Sequence, residues 1–128
     1  MRGGGTQAPE SAATLELWHR LGMQLRLALY ADDPRLVARY LSCGEALVAR
    51  HGHSPWQVHD RMLSLLLTTA YDTLLPIVWR MTCLDACSRP MSALGALVCD
   101  DASAARLRIL ARRLASFSCN PADPERAA

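Results

Sequence analysis

The stretch MLSLLLTTAYDTLLPIVWRMTCLDA, residues 62–86, decides the fold. It is apolar almost throughout, interrupted by Asp72, Pro76, Arg80 and Asp85. A membrane-spanning helix needs roughly 20 predominantly apolar residues, and three charges in this window are incompatible with one. Pro76 lacks an N–H, and its ring would clash with the preceding turn, which disfavours one straight helix. The stretch therefore predicts two core helices that meet near Pro76, or one helix sharply kinked there.

Upstream, Ser54-Pro55-Trp56-Gln57 is the strongest local start signal in the chain. Ser54 can accept from the first free amides of a helix, Pro55 suits the first helical position, and Gln57 can reach back. The helix predicted from Pro55 to Thr73 carries Val58, Met62, Leu63, Leu65, Leu66, Leu67, Ala70 and Leu74 over more than half its circumference. An apolar arc of that width marks the centre of a bundle. The partner helix, Ile77 to Ser88, is apolar nearly all round.

Other elements follow outward. Helical spacing of Leu17, Trp18, Leu21, Leu25, Ala28 and Leu29 predicts a first helix from Thr14 to Tyr30. Asp33 and Pro34 then start a helix that reaches Arg50 and turns Leu36, Val37, Tyr40, Leu41, Leu47 and Val48 inward. His51-Gly52-His53 breaks the chain. Ser88-Arg89-Pro90 ends the fourth helix, a short helix covers Met91 to Val98, and Asp101 caps a last helix to Phe117. The expectation is an all-α, single-domain bundle of five or six helices around a central apolar pair. Its helical domain covers residues 13–118, with disordered segments at 1–12 and 119–128.

Composition agrees with helix over strand: 51% of residues are apolar, with a single Phe, and Leu and Ala dominate. All 14 basic side chains are Arg, which points to a GC-rich coding sequence of bacterial or large-DNA-virus origin. The net charge of +2 is too small to imply a polyanionic partner by itself. MRGGGTQAPESAA has no apolar core of a secretory signal, and an odd number of cysteines, 5, has no framework of short spacings. Reduced thiols in an intracellular protein, cytoplasmic or in a host cytoplasm or nucleus, are the simplest expectation.

No constellation of catalytic residues stands out. Asp32-Asp33 and Asp100-Asp101 lie at helix starts, where capping explains them. The glycines form no phosphate loop, and no Ser or Cys sits in a nucleophile motif. Cys83 and Cys87 are one turn apart, but no second pair answers them, so no metal and no cofactor is expected. His59 falls in the middle of an apolar arc, which predicts a hydrogen-bonded core histidine with a lowered pKa, with a pH-responsive or ligand-facing histidine as the alternative.

Two features suggest binding instead. Met23, Leu27 and Tyr30 form a second stripe on the first helix, opposite the inner one, and Trp79 lies on the helix that is greasy on all sides. Together they predict a non-enzymatic interaction module, an adaptor, secretion chaperone, regulator or viral host-interaction factor. Its partner would be another protein or a second copy of itself. The rival reading is nucleic-acid binding through Arg106, Arg108, Arg112 and Arg113, four arginines within eight residues, assisted by Arg35 and Arg39. A third is a small-molecule pocket near Trp56, His59 and Trp79.

Overall fold

The computed structural model describes residues 3–119, with side chains for residues 9–117. Among the described residues the chain forms six helices and no strand: α1 (Gly3–Arg26), α2 (Arg35–His51), α3 (Pro55–Tyr71), α4 (Ile77–Ala86), α5 (Ser88–Leu97) and α6 (Asp101–Cys119). The fold is an all-α bundle. α3 touches each of the other five helices. Its apolar arc explains this: Val58, Met62, Leu63, Leu66, Leu67 and Ala70 are all buried.

Local chemistry sets most boundaries. The Ser54 hydroxyl accepts from the Gln57 amide at 3.3 Å, with Pro55 in the first turn. Gly52 closes α2 in the left-handed conformation at φ 71°, where a Cβ would be strained. At the start of α2 the Asp33 carboxylate accepts from the Arg35 amide at 3.1 Å. The last helix is capped by Asp100 rather than Asp101. Asp100 Oδ1 accepts from the Ser103 amide at 2.8 Å, and Ser103 Oγ accepts from the Asp100 amide at 3.2 Å. This is a reciprocal capping box.

Four boundaries differ from the sequence reading. α1 begins at Gly3, so residues 3–12, expected to be disordered, form its first turns, with Pro9 inside. Residues 1–2 and 120–128 of the two expected tails lie outside the described residues, and α6 runs on through Cys119. α1 also ends early, at Arg26. The Leu29 amide donates to Gln24 O at 3.0 Å and the Ala28 amide to Leu25 O at 3.1 Å, with Ala28 at φ 53°. That pair of bonds is a Schellman stop, in which glycine usually takes the left-handed residue. Finally, Ser88-Arg89-Pro90 starts α5 rather than ending α4. Pro90 is its third residue, where the missing N–H costs no intrahelical bond.

α1 and α2 run antiparallel and meet at glycines. A Cβ on Gly22 would lie 3.0 Å from Tyr40 Cε1, and one on Gly44 would lie 2.9 Å from Trp18 Nε1 and 2.5 Å from Met62 Sδ. The Tyr40 and Trp18 rings stack in that space, 8° from parallel with centroids 5.7 Å apart. α3 lies beside α1 in the same direction, with Leu65 facing Gly22 and Asp72 reaching Arg26. α4 joins the centre through Trp79 and Cys83, while α6 is fixed to α3 by Arg106, which grips Asp60 at 2.9 and 3.0 Å. That grip holds the Asp60 carboxyl below its ordinary pKa.

Ala28 carries the strain of the α1 stop. Ala28→Gly removes the Cβ from a left-handed residue and should stabilise the fold by about 1 kcal/mol. Chemical denaturation read by circular dichroism checks this; an unchanged or lowered midpoint would contradict the assignment.

Candidate functional site

One end of the bundle gathers the C-termini of α1 and α3 and the start of α4, and three polar bonds hold it together. Trp79 Nε1 donates to Leu25 O at 2.9 Å, a carbonyl of the last turn of α1. The next residue, Arg80, donates through Nε to Ala70 O at 2.8 Å and so caps α3. Arg26 pairs with Asp72 at 2.8 Å. Asp72 also accepts from the Leu74 amide at 3.0 Å, which turns the chain out of α3. Its carboxyl is held below the usual range by Arg26 first and the Leu74 amide second.

These bonds bring two short apolar segments to the same end. One holds Leu27, Leu29 and Tyr30, which follow α1, together with Met23 on its last turns. The other is Leu74, Ile77 and Val78 around Pro76. All seven side chains are exposed, Met23 at 61%, Val78 at 71% and Leu74 at 91% of their free surface. Isolated apolar residues on a surface need no explanation, but a cluster on one end of a small domain is the mark of a contact region.

A groove of about 530 Å³ opens beside Met23 and Leu27. Trp18, Gly22 and Arg26 of α1 form one wall, and Arg61, Ser64, Leu65 and Thr68 of α3 form the other. Tyr40 of α2 closes the floor, visible only because Gly22 has no side chain. Burial pushes the Tyr40 phenol up, so it stays protonated. Arg61 stands over the Trp18 ring with Cζ 5.9 Å from its centroid, a cation–π arrangement.

The predicted site residues divide accordingly. Met23, Leu27 and Tyr30 are exposed as expected, although Leu27 and Tyr30 stand on the turn after α1 rather than on a helical stripe. Trp79 does not belong to an exposed surface: it is fully buried, and its indole is spent on Leu25. Leu29 and Leu74, read from the sequence as inward, are outside, because their helices end before them. Asp72 followed by Leu74-Leu75-Pro76 was the signal for that exit.

The arginines are spread over two helices. Arg106 is committed to Asp60 and Arg35 to Asp33, and Arg113 lies over the Tyr71 ring at 5.9 Å. Arg39, Arg108 and Arg112 are exposed, the first on α2 and the others on α6. The residues of the small-molecule reading are separated: Trp56 lines a hollow of about 360 Å³ with Leu97, Ser103 and Arg106, while Trp79 is sealed in the core.

Three of the described thiols are held in their neutral forms, whereas Cys99 is exposed. Burial pushes the Cys83 and Cys87 thiols up to about 12, and raises Cys43 as well. Among the described residues no three of His, Cys, Asp or Glu are grouped to hold a metal ion. No described helix is long and apolar enough to cross a membrane. His59 is buried, 9% exposed, but its Nδ1 has no partner among the described residues, contrary to the expectation of a satisfied core histidine. Burial lowers its pKa below 6.5, opposed by Glu45.

The unfolded chain therefore takes up a proton at His59 before the folded one does. Stability is predicted to fall as pH drops through 6.5 toward the lowered folded value. In His59→Leu this loss should shrink, and stability at neutral pH should be equal or higher, because an unpartnered buried nitrogen is gone. Melting temperatures from pH 7.5 to 5 read both effects; parallel curves for the two proteins would refute the assignment.

A scan against family models, a search of curated proteins and a search of solved structures each find no match to this chain.

Proposed function

We propose that this protein is a non-catalytic interaction module, of the adaptor, chaperone or regulator kind, that docks another protein on the α1–α3 groove and the adjoining apolar end. The observation that carries the reading is the exposure of Met23, Leu27, Leu29, Tyr30, Leu74, Ile77 and Val78 in the segments that the Arg26–Asp72 and Trp79–Leu25 contacts bring to one end of the bundle. Fully burying one such side chain contributes about 1.5–3 kcal/mol. Covering three or four of them offsets much of the entropy lost on association. Burial holds the Cys83 and Cys87 thiols protonated, so neither is an activated nucleophile.

The nucleic-acid reading draws less support. Arg106, which opens the basic run on α6, is engaged by Asp60 and Ser64. Arg35 is engaged by Asp33 within its own turn.

Photo-cross-linking in extract of the native cells tests the reading. A photoreactive residue in place of Met23 or Val78 should form a discrete adduct with a protein, whether another chain or a second copy of this one. The same residue in place of Arg112 on α6 should not. Adducts that form equally at all three positions, or adducts to nucleic acid from position 112 alone, would overturn it.

A further inference from the structure

The groove's charge says what kind of segment it takes. Its lining contains no carboxylate, and its two walls carry His19, Arg26 and Arg61. Arg26 is already neutralised by Asp72. Arg61 is exposed, and among the described residues no carboxylate pairs with it. A cation held over an aromatic ring at the mouth of an apolar cleft is a fixed positive point beside an oily floor. Packing it against the Trp18 ring restricts its motion in advance, so less freedom is lost when it meets an anion.

The length of the groove fits a helix. From Trp18 to Arg26 the α1 wall spans about 12 Å at the helical rise, a little over two turns of a docked helix. Such a segment can lay side chains at i, i+3, i+4 and i+7 between the two walls. Main-chain pairing is not on offer, because both walls are helices whose backbone bonds are closed internally. An extended strand would therefore have only side-chain contacts.

We propose that the α1–α3 groove receives an acidic amphipathic helix from a partner protein, with its apolar stripe over Tyr40 and Leu65 and a carboxylate paired with Arg61. This rests on the interaction reading above and narrows it to one class of partner.

Three synthetic peptides of roughly 16 residues test it, each with the same Leu and Phe stripe. Their polar faces are Glu-rich, Gln-rich or Lys-rich, and their binding is followed by fluorescence anisotropy. The Glu-rich helix should bind about tenfold or more tighter than the Lys-rich one, and the difference should shrink in high salt. Arg61→Gln should erase the difference, and Arg61→Glu should reverse it. Arg61 is exposed, so both variants are expected to fold, which circular dichroism verifies. Equal binding of all three peptides overturns the charge-specific proposal while leaving an apolar docking groove. Binding of none overturns the groove as a helix receptor, and the cross-linking pattern at Met23 and Val78 then decides the wider reading separately.

Discussion

The hydrogen bond from Trp79 to Leu25 O is the constraint on which the functional end of this protein depends. A buried indole N–H must be satisfied by something other than water, and Leu25 O, which also takes the Ala28 amide in the α1 stop, has a second lone pair to offer. Here the indole N–H meets it at 2.9 Å while the ring fills the space beneath α1. Leaving the indole N–H unmet in the interior would cost about 1–3 kcal/mol. The next residue, Arg80, does the same for α3 through Ala70 O. Two adjacent side chains of α4 thus tie off two helices, and the ends of α1, α3 and α4 cannot separate without exposing both.

The consequence reaches beyond stability. Because α1 stops at Arg26 and α3 at Tyr71, the residues that follow them leave the helical register and carry their apolar side chains outward. The clasp sets those two departures side by side. Each segment alone holds a few exposed apolar residues, and the clasp brings both to one end of the bundle. The groove arises from a different cause. Gly22 lets Tyr40 form its floor, and Gly44 lets Trp18 approach closely enough to stack on Tyr40. The apolar end and the groove meet at Met23 and Leu27.

The all-α architecture and the hub helix were legible because their signals are periodic or local. Ser54-Pro55 marks the start of α3, and its apolar arc requires neighbours on several sides. The end of α1 was not legible, since the left-handed position is filled by Ala28, where glycine or asparagine would have signalled a stop. Nor was the role of Ser88-Arg89-Pro90, because proline near a helix boundary serves equally as a stop or as a first-turn residue. Trp79 was misplaced for a third reason. An apolar periphery on all sides of a short helix gives no preferred face, and only a carbonyl at the end of a distant helix selects which residue turns inward. The groove floor depends on glycines 18 residues from Tyr40 and 18 residues from Met62, a pairing that no local pattern reveals.

Hydrogen exchange at the Trp79 indole, followed by nuclear magnetic resonance, tests this account most directly. A clasped, buried Nε1–H should exchange far more slowly than the half-buried Trp56 indole, with protection approaching that of the core amides of α3. Exchange at the rate of an unprotected indole would mean that α4 is not tied to α1, and the two apolar segments would lose the reason for standing together.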